Sequence, residues 1–332
     1  MITVVNFTSL SFSGTTWINA LLGANLNSIA LGPPDRVLNI LLEDKNDELC
    51  RIHKDECEFW NGFKQIFNKK ENYYLQLALY SGKEFIIINN PIYDGEAHKQ
   101  LNNENIVVKN INLVRDGRAI CASYLRQHPD SDFLPIVKDW FLPSASNLYF
   151  DETDEDTLCI RYEDVLEDPK NYLKKIGDFI HLDYEENALE FWQYEQHLTA
   201  GNAGVFNTIK FFENPDSISF KDAEFIKEQI NLMKNDPSNA FKSERWKDEL
   251  TKLQLFIFEY YAGNVNKKWG YDSDRFTYSE MNAFLTKVNC DYNKPNQPKV
   301  EYKMAPSYQK ALSCKDKLKQ CLFKFVNKMK GK

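Results

Sequence analysis

Residues Ile2 to Leu22, ITVVNFTSLSFSGTTWINALL, open as a β-branched run, break into small hydroxyl residues, and leave as an amphipathic helix starting at Gly14-Thr15-Thr16-Trp17. A strand that feeds a helix N-terminus through such a turn is suited to holding an anion. The first-turn amides have no intrahelical partners, the helix dipole is positive there, and Ser13, Thr15 and Thr16 add hydroxyl donors. The segment lacks both the first glycine and the lysine of G-x-x-x-x-G-K-[ST], so it is not a Walker A loop. An ordinary strand-to-helix connection capped by Ser13 fits the same residues, and the rest of the chain has to decide between the two.

The same arrangement recurs. Ile106 to Val114 reads as a strand that runs into the charged turn Arg115-Asp116-Gly117-Arg118 and then a helix, Ala119 to Arg126. Glu84 to Asn90 is a short, continuously apolar run of the kind buried on both faces of a parallel sheet, and Thr157 to Arg161 is another. After it, Asp168 and Pro169 suit the N-cap and first turn of a helix that continues to Phe179. Strands alternating with helices predict an α/β fold, a parallel sheet wrapped by helices. The second half is mostly helical in pattern. Phe225 to Met233 and Trp246 to Ala262 are expected helices, with Leu250, Leu253, Phe256 and Tyr260 as a core-facing stripe.

At 332 residues, 43% hydrophobic and 14% aromatic, the chain has material for a large core. Its net charge of −7 argues against a general nucleic-acid binder. No apolar run reaches the length of a membrane span, and seven cysteines without a secretory signal suggest reduced thiols and a cytoplasmic setting. From Lys303 to Lys332 nine lysines face one acid, Asp316, and Tyr308 to Lys330 has the spacing of a basic amphipathic helix. Such a helix can dock on its own protein, on a partner, or peripherally on an anionic membrane surface; docking on protein is the preferred reading.

Five stretches carry groups capable of chemistry or ligand contact. Ala30 to Arg36 is a breaker-rich loop placed to form a second wall of a ligand cleft, with Asp35 and Arg36 as its charged residues. Cys50, His53 and Cys57 offer three metal-ligating groups, one short of a structural zinc set; the alternative is a packed, reduced segment anchored by Phe59 and Trp60. Tyr93 to His98 is a polar loop beyond a strand end, where ligands of open α/β sheets bind, and it carries Glu96 and His98. Arg115, at another strand end, is a donor fork suited to a phosphate, although an Arg–Asp surface pair would look the same. His197 to Gly204 is a small-residue loop with the look of a lid or ligand contact.

Taken together, these segments resemble the sulfotransferases that use 3′-phosphoadenosine 5′-phosphosulfate (PAPS). Ser13-Gly14-Thr15-Thr16-Trp17 is similar to the family's SGTTW loop for the 5′-phosphosulfate. Leu113 to Ala119 and on to Ser123 resembles LVRDxRA…S, whose arginine and serine hold the 3′-phosphate. Arg161-Tyr162-Glu163-Asp164 with Asp168-Pro169 resembles RYEDL…DP, whose tyrosine lies beside the adenine. The bacterial branch also shows C…C-x-FW, H…GN and W…L…GY stretches, here Cys50 to Trp60, His197 to Asn202, and Trp246 to Leu250 with Gly270-Tyr271.

The likeness runs over residues 2–272 and leaves 273–332 as a C-terminal extension with the basic helix. It implies a P-loop-like fold, PAPS as donor, no metal requirement, and a small-molecule acceptor sulfated on a hydroxyl or amine. It implies cofactor contacts from Ser13, Gly14, Thr15, Thr16, Trp17, Arg115, Ser123 and Tyr162. There are departures. Phe12 stands where many members carry a lysine or arginine that steadies the leaving oxygen, although relatives with an aromatic there exist; Gly32-Pro33-Pro34 stands where several branches have a glycine followed by a glutamate base; Asn89-Asn90-Pro91 stands where the cytosolic branch has a histidine base; and Val205 stands near the place of an arginine often found after GN. Asp35 is then the first candidate for general base, with His98 and Glu96 behind it. A homologue that binds nucleotide without catalysis, and a divergent nucleotide phosphotransferase, are the rival readings.

Overall fold

The computed structural model describes residues 1–292 apart from 44, 46, 90–95, 152–156, 185 and 218. The basic tail helix expected from the sequence, and the first half of the Tyr93 to His98 loop, lie outside the described residues.

The chain forms β1 (Ile2–Thr8), α1 (Thr15–Gly23), β2 (Ser28–Gly32), α2 (Pro34–Leu42), α3 (Glu58–Ile66), α4 (Tyr73–Ser81) and β3 (Phe85–Asn89). It continues through α5 (Glu96–Lys99), β4 (Ile106–Val114), α6 (Gly117–Gln127), α7 (Phe133–Asp151), β5 (Thr157–Arg161), α8 (Tyr162–Glu167) and α9 (Pro169–Ile180). The rest is helical: α10 (Ala203–Glu213), α11 (Phe220–Asn235), α12 (Pro237–Phe241), α13 (Trp246–Glu249), α14 (Lys252–Lys268) and α15 (Tyr278–Tyr292).

All strand pairs are parallel, in the order β2-β3-β1-β4-β5. β1 therefore lies at the centre, and the strand order switches direction beside it. Its C-terminal end is the crevice where such sheets bind ligands. Burial on both faces explains the continuously apolar strands. Asn6 of β1 is polar and buried: its Nδ2 donates to Asn110 Oδ1 of its register partner over 3.0 Å, while its Oδ1 has no hydrogen-bond partner among the described residues.

The alternation read from the sequence is the observed architecture, with three differences. β2 falls where a breaker-rich loop was expected; it is a five-residue edge strand with a register shift before Gly32, and Ser-Ile-Ala-Leu-Gly carries too little β-branched signal to announce it. The helix expected over Trp246 to Ala262 is two helices, because Thr251 starts a new one with a reciprocal cap to Gln254. Of its proposed stripe, Leu250 and Phe256 are buried, but Tyr260 is 61% exposed. Past Tyr271, where the pattern loosens, α15 forms, and Phe284 packs on Phe256 of α14 with ring centroids 5.1 Å apart.

Candidate active site

The loop between β1 and α1 runs from Ser9 to Gly14, the N-cap of α1. Gly14 sits at φ +87°, and no side chain caps the helix, so the Ser13 cap of the alternative reading is not formed. An uncapped N-terminus at the central strand's carboxyl end leaves amide donors for an anion. A Cβ on Gly14 would lie 2.1 Å from the Tyr162 ring. Only a glycine lets this loop rest on the tyrosine. Phe12, just before, is also in the left-handed region at φ +68°, a conformation that costs a bulky residue energy and is held by its surroundings.

One holder of that strain is Arg115. From the end of β4 its Nη1 donates to the Phe12 carbonyl over 2.7 Å, and its guanidinium lies over the Tyr162 ring at 4.8 Å. Trp17 of α1 meets Tyr162 edge-on at 6.4 Å and packs against Phe241 at 4.8 Å. The fold thus brings Phe12, Gly14, Trp17, Arg115 and Tyr162 together from the ends of β1, β4 and β5. Ser123 is buried two turns into α6, with no hydrogen bond joining it to this group among the described residues. Its neighbour Tyr124 packs edge-on against Phe12 at 6.0 Å, which lays α6 along the loop.

The Arg–Asp ambiguity of the RDGR turn is resolved. Asp116 caps α6 and pairs with Arg118, whose Nη2 donates to it over 2.8 Å; both are buried, and Asn266 Nδ2 adds a donor to Asp116 at 3.2 Å. Arg118 also reaches Asp274 at 2.9 Å and lies over Trp246 at 4.0 Å. Arg115 is left out of that network and makes no ion pair among the described residues. Its Nε is buried without a hydrogen-bond partner there. Tyr162 is itself buried, which pushes its phenol well above the usual range, so it stays protonated.

The two loop threonines differ. Ser9 Oγ donates to Asn89 Oδ1 over 3.0 Å and lies 2.7 Å from Thr15 Oγ1. Because the Ser9 proton is already committed, Thr15 must be the donor in that pair, and its hydroxyl proton is spent inside the loop. Thr16 Oγ1 instead accepts from the Asn202 amide over 3.1 Å, which keeps its proton available. Ser9 is a support that the sequence reading did not single out, its only signal being its position at a strand end; Asn89 and Asn202 were named there, but not as partners of the two loop hydroxyls. Ser13 is buried behind the loop, its amide donating to Leu10 O over 3.2 Å.

Asp35 sits in the first turn of α2 and accepts from the Ala97 amide over 3.1 Å, so it meets α5 between Glu96 and His98. Glu96 is exposed and bound to Lys99 at 3.0 Å. Arg36 is structural: it donates to the carbonyls of Glu48, Leu49 and Thr199 over 2.6 to 3.2 Å. A cavity of about 280 Å³ beside Asn25, Asp183 and Tyr184 precedes β2, at the opposite edge from the strand carboxyl ends, and plays no part in this group.

The profile of the sulfotransferase domain matches residues 8–261. No curated protein is similar enough in sequence to be matched. Among solved structures, the sulfotransferase domain from the curacin biosynthetic pathway superposes with a TM-score of 0.57 at 15% identity, over 82% of this chain and 99% of that one. The sulfotransferase domain of the Synechococcus PCC 7002 olefin synthase does so at 0.50 and 17%, over 82% and 95%. At these identities the likeness speaks for the fold. No helix among the described residues is long and apolar enough to cross a membrane.

Proposed function

Since the chain belongs to the sulfotransferase domain family, we propose that it moves a sulfuryl group from PAPS to a hydroxyl or amine of a small-molecule acceptor. The observation that carries this reading is the convergence of Arg115, Phe12, Gly14 and Tyr162 at the uncapped start of α1.

The residues fit the donor. A buried, unpartnered Nε on Arg115 and an uncapped helix N-terminus are provision for anionic groups, and Trp17 and Tyr162 are π surfaces suited to a purine. PAPS would supply an activated sulfuryl group whose leaving group is 3′,5′-diphosphoadenosine (PAP). Toward it, the first-turn amides of α1 and the Thr16 hydroxyl would hold the 5′ end, while Arg115 and Ser123 would hold the 3′-phosphate. Arg115 also places positive charge at the Phe12 carbonyl, in the turn where many members of the family carry a cationic side chain. Positioning and charge neutralisation of this kind account for most of the rate in transfers where the protein contributes no covalent step. Asp35 at the junction of α2 and α5 is the proposed base for the acceptor's proton.

Incubation with ³⁵S-labelled PAPS and a mixture of hydroxylated and amine metabolites tests this directly. Transfer of label to any acceptor is the expected result. PAP binding without transfer to any of them would instead favour a binding-only homologue, the reading suggested by Phe12 and Pro33.

A further inference from the structure

We propose that Cys50, His53, Cys57 and His197 form a structural zinc site, separate from the nucleotide site and closed to substrate. The sequence offers three of these ligands within eight residues. The fold supplies the fourth from the loop before α10. One ligand atom from each residue lies within 4.8 Å of the other three. Cys50 Sγ is 3.5 Å from His53 Nδ1, and Cys57 Sγ is 3.4 Å from His197 Nδ1. With Zn–S of about 2.3 Å and Zn–N of about 2.0–2.1 Å, a tetrahedral ion sets its ligands roughly 3.3–3.8 Å apart. The four side chains therefore need only a small inward adjustment.

Three further features point to an ion rather than a packed thiol cluster. Both imidazoles turn Nδ1 toward the sulfurs and Nε2 toward a carboxylate: His53 to Glu213 at 3.0 Å and His197 to Glu195 at 2.8 Å. A carboxylate on the distal nitrogen fixes the tautomer in which the near nitrogen has its lone pair free, which is the usual outer arrangement of a metal-bound histidine. The His53 amide also lies 3.4 Å from Cys50 Sγ, where it stabilises a thiolate. Cys50, Cys57 and His197 are buried, and Phe59 stacks on the His197 ring at 4.3 Å and 11°. Two thiolates balance the ion's charge, and four protein ligands leave no open position, so the site is structural rather than catalytic.

Its place in the fold gives it a purpose. The 50–60 segment is joined to the 197–204 loop by Arg51 N to Leu198 O at 2.8 Å and by Trp60 Nε1 to His197 O at 2.9 Å. The same loop continues to Asn202, which donates to Thr16 at the start of α1. The ion would pin the far end of a segment that holds the near end of the anion site.

The full chain, purified without chelator or affinity metal, is assayed for metal by inductively coupled plasma mass spectrometry and refolded with Co²⁺ for absorption spectra. The expected results are one zinc per chain and a cobalt form with thiolate-to-cobalt charge-transfer and tetrahedral d–d bands. His53→Ala, at the half-buried ligand, should lose the stoichiometric zinc, whereas Cys121→Ser, at a buried cysteine outside the cluster, should keep it. A wild-type chain free of zinc that takes up none on addition, or a cobalt form without thiolate bands, overturns the proposal. Neither wild-type readout depends on a variant folding or on the donor nucleotide.

Discussion

Arg115 Nη1 donates to the carbonyl of Phe12 over 2.7 Å, so a guanidinium from the end of β4 supports the turn that follows β1. The contact brings a positive charge to the turn that carries Phe12, which has no cationic side chain of its own at that position. Arg115→Ala should therefore lose both the proposed 3′-phosphate contact and the support of a strained residue. Charge-assisted hydrogen bonds are worth about 1.5–3 kcal/mol each, so affinity for PAP should fall at least about tenfold by titration calorimetry. Arg115→Lys, which keeps the charge but not the fork, should fall between the two. Unchanged affinity in the alanine variant would remove Arg115 from the site.

Gly14 and Gly82 provide a matched comparison. Both are in the left-handed region, but a Cβ on Gly82 meets nothing within 4 Å, while one on Gly14 meets the Tyr162 ring. Gly82→Ala should cost only backbone strain, about 1–2 kcal/mol, and leave PAP affinity unchanged. Gly14→Ala adds displacement of Tyr162 and should lower both melting temperature and PAP affinity. Equal effects on affinity would mean that the Gly14–Tyr162 contact is not part of the site.

The two loop threonines should separate. Thr16 keeps its hydroxyl proton for a ligand, whereas Thr15 spends its own on Ser9. Thr16→Val should weaken PAP binding with little loss of stability. Thr15→Val should chiefly lower the melting temperature, because it strips a buried partner from Ser9. The reverse ranking in paired calorimetry and thermal melts would contradict the proton assignment.

Asp35→Asn retains an oxygen to accept from the Ala97 amide, so the junction of α2 and α5 should survive. If Asp35 is the base, turnover should fall by about 10²–10⁴ while PAP affinity stays at the wild-type value. Turnover at the wild-type rate would pass the role to His98.

What could be read beforehand follows from how far each signal travels along the chain. The strand–turn–helix units at Gly14 and Arg115 were legible because the turn residues sit next to the strands that aim them. β2 was not, because a short, bulged edge strand owes its form to pairing with β3 rather than to its own residues. The split between Arg115 and Arg118 was beyond sequence, since the partner that absorbs Asp116 along with Arg118 is Asn266, 150 residues away. The same holds for His197, which meets Cys57 across 140 residues. The base could be read only as a choice among Asp35, Glu96 and His98; the contact of Asp35 with the Ala97 amide, which supports putting it first, joins residues 62 apart and had no signal in the spacing.

The central claim is that this anion site is built for a 3′-phosphorylated adenosine donor, and a thermal-shift comparison of PAP with ATP–Mg tests it most directly. A ligand at about 100 times its dissociation constant stabilises by roughly 2.7 kcal/mol. The expected result is a raised melting temperature with PAP, lost in Arg115→Ala, and none with ATP–Mg. Stabilisation by ATP–Mg and not by PAP would contradict the account and identify a nucleotide phosphotransferase instead.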